Sequence, residues 1–171
     1  MKKYLIIISI LLIISYTTGV FVEITIPHHM NLTPEIPSFS ISLWRTVKND
    51  FSTLFLAVFF SLTGWLFPFT AMLFAAKSFA LGFSSAFLFS FPDTKAAILL
   101  SALIPRIVLK LPAYILLLYM SFELAKYTIS LSSKHKAKEG ALTYISLRIA
   151  LGMFLLLISS LTEAVLTQIM L

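Results

Sequence analysis

Residues 69–90 read FTAMLFAAKSFALGFSSAFLFS, with Lys77 as their single charge. As a helix this stretch rises about 33 Å, enough to cross a hydrocarbon core of about 30 Å. Ala71, Ala75, Ser78, Gly82 and Ala86 follow one another at intervals of four, three, four and four, so they share one narrow helix face. Small residues allow close approach of helices, which is how spans associate where lipid is as apolar as the side chains. Thr70, Lys77 and Ser84 form a polar seam on the opposite side. A helix with a small face and a polar seam is expected to sit centrally, with partners on both sides.

The rest of the chain agrees with a lipid environment. Of its 171 residues, 59% are apolar and 12% charged, about half the 25% charge of a soluble domain. A soluble enzyme domain, a disordered protein and a nucleic-acid-binding domain are therefore excluded as leading readings. The net charge of +6 comes from Lys and Arg placed beside apolar runs, as at cytoplasmic membrane flanks. There is no cysteine, so disulfides and thiolate chemistry are excluded.

These runs predict an all-α integral membrane protein of about five transmembrane helices, forming a single domain. The spans are expected at about 4–22, 51–67, 69–90, 111–131 and 141–163. A signal peptide competes for the first, but Ser15-Tyr16-Thr17-Thr18-Gly19 lacks the small-residue cleavage pattern, which favours an uncleaved anchor. An outer loop covers 23–50 and contains Pro27, Pro34 and Pro37. Near its end Phe39, Leu43 and Val47 recur at helical spacing beside Trp44, as in a short interfacial helix, and Asn49 or Asp50 would cap the second span. Pro68 is expected to end that span. Residues 96–131 are too long for one crossing and carry Pro105 and Pro112. They read either as a re-entrant half-helix over 96–104 followed by the fourth span, or as one long, tilted, Pro-kinked helix.

Lys2, Lys3 and the basic loop with Lys134, Lys136 and Lys138 fall on one side of the membrane by span count. The positive-inside bias then places the N-terminus in the cytoplasm and the C-terminus outside.

Three charges fall inside expected spans: Lys77, Glu123 and Arg148. Counted from the inner ends of their spans, they lie roughly 12, 12 and 10 Å deep. Intramembrane charges are functional candidates by default. The readings open here are a transport or proton path, a Lys77–Glu123 pair that fixes helix order, and a snorkelling lysine. His28 and His29 lack enough neighbouring ligands for a metal site. Gly-x-Ser-x-Gly and Gly-rich phosphate motifs are absent, so no cofactor is expected.

Gly64, Pro68, Lys77, Phe79, Gly82-Phe83, Ile104-Pro105 and Pro112-Ala113 together resemble the core of the stage II sporulation protein M family. Two positions depart from it: Ser78 stands where the family usually has Gly, and Arg106 where a polar uncharged residue usually follows the Pro. The resemblance implies a non-enzymatic integral membrane scaffold. Its relatives act in engulfment, anchoring peptidoglycan-degrading partners that work outside the membrane. On this chain Phe39 and Trp44 are the apolar anchors such a partner would favour. Besides the bilayer and these cell-wall hydrolases, a homo-oligomer is compatible with the sequence. The rival function is a small permease or transporter subunit using Lys77, Glu123 and Arg148; an intramembrane enzyme is the third.

Overall fold

The computed structural model describes residues 2–26, 39–89, 94–132 and 140–169. His28, His29, the three prolines of the 23–50 loop and the basic loop of Lys134 to Lys138 lie outside the described residues, as do the side chains of Phe39, Pro105 and Arg106.

Five helices follow one another: α1 (Lys2–Thr25), α2 (Phe39–Leu62), α3 (Phe67–Phe89), α4 (Thr94–Ser132) and α5 (Ala141–Ile169). Four of them, α1, α3, α4 and α5, are long and apolar enough to cross a membrane. Their outward faces carry Ile6, Ile7, Ile10, Ile14, Leu147, Leu151 and Phe154, all exposed. In water these would form an apolar patch far larger than a soluble monomer tolerates; against lipid tails they cost nothing.

Three expectations are corrected. First, α2 does not begin at 51 behind a short interfacial helix. It runs unbroken from Phe39 to Leu62, so Asn49 and Asp50 lie in its interior rather than capping it. Second, Pro68 does not terminate the second span. It is the second residue of α3, where a missing N–H removes no helical bond. What ends α2 is Gly64, in the left-handed region with φ 66°, whose N–H bonds the carbonyl of Ser61 at 3.1 Å. Third, residues 94–132 form one helix of 39 residues, with no re-entrant break at Pro105 or Pro112. Each proline removes one ladder bond, and the surrounding turns still hold the helix together. The long-helix alternative is the one adopted.

The centre of the bundle is also not α3. Half of the α4 span is buried, against 28% of α3 and 17% of α1 and of α5. Ala113, Tyr114, Leu117, Leu118 and Met120 of α4 form the core with Leu12 of α1, Phe74 of α3 and Leu156 of α5. The small face of α3 serves one neighbour, α1.

The register of α3 on α4 is set by aromatic pairs. The rings of Phe74 and Tyr114 lie 5.6 Å apart, and those of Phe67 and Phe122 lie 5.1 Å apart. Tyr4 also meets Phe122, at 5.0 Å. Thus α1 and α3 start at one level and run parallel against each other, and α4 descends antiparallel beside them. Below that level α4 continues past the α2–α3 turn, where a Cβ on Gly64 would meet Ile129.

Candidate functional site

Three charged residues are buried among the described residues, Glu23 of α1, Asp50 of α2 and Lys110 of α4, and the last two meet. Lys110 Nζ of α4 lies 3.0 Å from Asp50 Oδ2 of α2, with side chains only 2% and 7% exposed. Ser160 of α5 donates to the same Asp50 oxygen at 3.2 Å. Glu163, one turn further along α5, places Oε2 3.9 Å from Lys110. Taking two ions out of water is expensive, and the pair is viable only where geometry and added hydrogen bonds compensate. Here the lysine has two carboxylates and the aspartate has a lysine and a hydroxyl. The cluster therefore locks α2, α4 and α5 together.

Lys77 belongs to the same level. By the aromatic register it lies opposite residues 110 and 111 of α4. Its Nζ donates to Asn49 Oδ1 at 2.6 Å, and Asn49 precedes Asp50, so α2 offers an amide to α3 and a carboxylate to α4. Between these helices opens a cleft of about 690 Å³, whose lining includes Arg45, Lys48, Asp50, Lys77, Ser84 and Lys110.

The expected Lys77–Glu123 pair is not formed. Glu123 lies level with Phe67, ten residues and roughly 15 Å below Lys77 along α3. Its carboxylate accepts from Lys126 at 3.2 Å. The Lys126 ammonium also sits over the rings of Phe122 and Tyr4, at 4.2 and 4.6 Å. Arg148 rests on the ring of Tyr144, 4.3 Å from its centroid. The three charges singled out in the sequence thus divide between two levels: Lys77 in the middle of the bundle, Glu123 and Arg148 toward its α1-start end.

The small face meets α1 at backbone distance. Ser78 donates to the carbonyl of Leu12 at 2.8 Å. Gly82 lies against the carbonyl of Tyr16, and Gly19 of α1 against that of Phe79, so a Cβ at either glycine would strike backbone. Tyr16 and Ser85 share a hydrogen bond of 3.0 Å. Ala86 is buried, Ala71 packs against the core and Ala75 is half-buried. Trp44 is 70% exposed on α2. Among the described residues no group of His, Cys, Asp and Glu could hold a metal ion.

Sequence reasoning missed Asp50, Lys110, Ser160 and Glu163 as one cluster. A signal existed: Lys110 stands between Leu109 and Leu111, and Asp50 and Glu163 are each followed directly by an apolar residue. It was obscured because Asp50 looks like a cap, Lys110 stands between two prolines, and Glu163 falls at a span end.

Five helices, four of them long and apolar enough to cross a membrane, packed around an apolar core with a buried Asp50–Lys110 pair define a multi-pass α-helical membrane protein. The family model described as stage II sporulation protein M matches residues 4–168, nearly the whole chain, and the chain belongs to that family. No curated protein and no solved structure matches it.

Proposed function

We propose that this protein is a non-enzymatic membrane scaffold that recruits or anchors peptidoglycan-degrading partners during engulfment in endospore formation. The observation that carries this reading is the family match from residue 4 to 168. The packing supports it: Asp50, Lys110 and Ser160 spend their polar groups on one another, which makes a rigid platform. All five helices cross the bilayer, with the N-terminus cytoplasmic and the C-terminus outside. The parallel start of α1 and α3 at Phe122 supports this, because the chain must return between them and α2 is the one helix described there. α2 tolerates the crossing because Asp50 is neutralised by Lys110.

The outer end of α2 offers the exposed Trp44 to a partner on the wall side, and Phe39 begins the same helix. Phe39→Ala with Trp44→Ala should release a co-purifying cell-wall hydrolase, reducing its recovery tenfold or more if the pair is a hot spot of about 2 kcal/mol. Membrane abundance of the variant should stay at the wild-type level, since Trp44 contributes little to the core. Undiminished partner recovery from detergent would remove this surface from the proposal. The second reading, a permease or transporter subunit, is favoured by one observation: the cleft at Lys77 places charged groups near the middle of the bundle.

A further inference from the structure

We infer that the cleft between α2, α3 and α4 is a water-filled half-channel, open to the outer side and closed at the middle of the membrane. The half-channel is no part of the scaffold reading, but it rests on that reading's crossing of the bilayer by α2, with Phe39 at the outer end.

The polar seam of α3 leads to it. Of Thr70, Lys77 and Ser84, Thr70 is buried against α2, where it donates to the carbonyl of Ala57 at 3.4 Å. Lys77 and Ser84, two turns apart, line the cleft. On the facing wall of α2, Arg45, Lys48, Asn49 and Ser52 follow at intervals of three, one and three, so they share one face. All four are exposed. Both walls are thus polar over seven residues, roughly 10 Å of helix. Nearer the α2–α3 turn the two helices meet through apolar groups, with the rings of Phe60 and Phe69 6.0 Å apart. The polar stretch therefore begins toward the outer end of α2 and stops at Ser52 and Lys77. Lys77 stands ten residues, roughly 15 Å, above Phe67 at the start of α3.

Water is what this lining holds. Charged groups within a membrane protein are tolerated where they pair with one another or face a water-filled cavity. Asp50 and Lys110 take the first course and are only 7% and 2% exposed. Arg45 and Lys48 are exposed and take the second. Half-buried Lys77 donates to Asn49 at 2.6 Å, and Asn49 is itself exposed to the cleft. Acyl chains in the same space would leave the guanidinium of Arg45 and the ammonium of Lys48 unsolvated. The cleft measures about 690 Å³, room for about twenty water molecules at about 30 Å³ each. Leu81 and Tyr114, both buried, line its floor. Water thus reaches Lys77 and Asn49 from outside and stays off the Asp50–Lys110 pair.

Single cysteines in this cysteine-free chain report the hydration directly. Ser52, Ala80 and Ser84 line the cleft; Phe55 and Met72, 70% and 69% exposed, lie on apolar faces that the bilayer covers. Each is replaced in turn: Ser52→Cys, Ala80→Cys, Ser84→Cys, Phe55→Cys and Met72→Cys. Intact cells are treated with the impermeant reagent 2-(trimethylammonium)ethyl methanethiosulfonate, and modification of the purified full chain is counted by mass spectrometry. Only the thiolate reacts, and a thiol forms it in water far more readily than in an apolar surrounding. The three cleft positions should therefore react about tenfold or more faster than the two lipid-facing ones. If one cleft variant fails to accumulate, the other two still decide. Reaction at positions 52 and 80 as slow as at 72 would mean a dry cleft, with Arg45 and Lys48 snorkelling to the headgroups; it would overturn the half-channel and leave the crossing of α2 intact. Reaction at position 55 as fast as at 52 would overturn the crossing, and the half-channel with it. Reaction at the cleft positions only after permeabilisation would place the opening on the cytoplasmic side and overturn the half-channel as stated.

Discussion

Lys110→Met should lower the stability of the bundle by about 3 to 5 kcal/mol, the usual cost of leaving one member of a buried ion pair alone. The side chain of Asp50 is 7% exposed, so its charge has almost no access to water once the lysine is gone. Ser160 still donates to it at 3.2 Å, but one hydroxyl does not replace an ammonium. Asp50→Asn should cost a comparable amount by stranding Lys110, offset in part by Glu163 at 3.9 Å. The double variant should recover most of the loss, since replacing both partners of a buried pair is often near neutral. Melting of the purified variants in detergent and their abundance in membranes both read this. A Lys110→Met protein as stable as the wild type would mean that the cluster does not hold the helices together.

Gly82→Val should be the next most damaging change, at about 3 kcal/mol, the upper end of ordinary overpacking. The added Cβ meets the backbone carbonyl of Tyr16. A flexible side chain could rotate away, but a carbonyl inside a helix moves only with the helix. α1 must therefore separate from α3, and the Ser78–Leu12 bond at 2.8 Å and the Tyr16–Ser85 bond at 3.0 Å are strained with it. Ser78→Ala, which removes one hydrogen bond and adds no bulk, should cost only about 1 kcal/mol. The order of the two, measured as melting temperatures, is the check. Gly82→Val equal to or milder than Ser78→Ala would place α1 elsewhere.

Much of this architecture is legible in the sequence. The apolar runs behind Lys3 and behind Gly140 become α1 and α5, and Phe69 to Ser90 differs from α3 by two residues at one end and one at the other. Gly64, Pro68, Gly82 and Pro112 carry enough of the family pattern to name it before any coordinates. What fails is instructive in each case. Hydropathy counts a charge the same way whether water or a partner compensates it, so Asp50 ended a predicted loop when it belongs inside α2. Prolines argue against a helix only by the bonds they remove, and packing on four neighbours outweighs those bonds in α4. Depth was counted from the ends of apolar runs, which assumes that all helices end at one plane. α4 runs on beyond Gly64 to Ser132, so Glu123 was placed beside Lys77 when it lies level with Phe67. Only the side chains that meet across helices fix such a register.

The crossing of the membrane by α2 is the claim on which the topology, the placement of the Asp50–Lys110 pair and the outward face of Trp44 all rest. It separates two arrangements cleanly. With α2 crossing, four crossings lie between Lys3 and Lys136, and both are cytoplasmic; without it there are three, and they face opposite sides. The chain has no cysteine of its own, so Lys3→Cys, Lys136→Cys and Met170→Cys can each be labelled singly with an impermeant thiol reagent in intact cells. The expected result is protection at 3 and at 136, both labelled only after permeabilisation, with open labelling at 170. Labelling of residue 136 in intact cells while residue 3 stays protected would contradict the account.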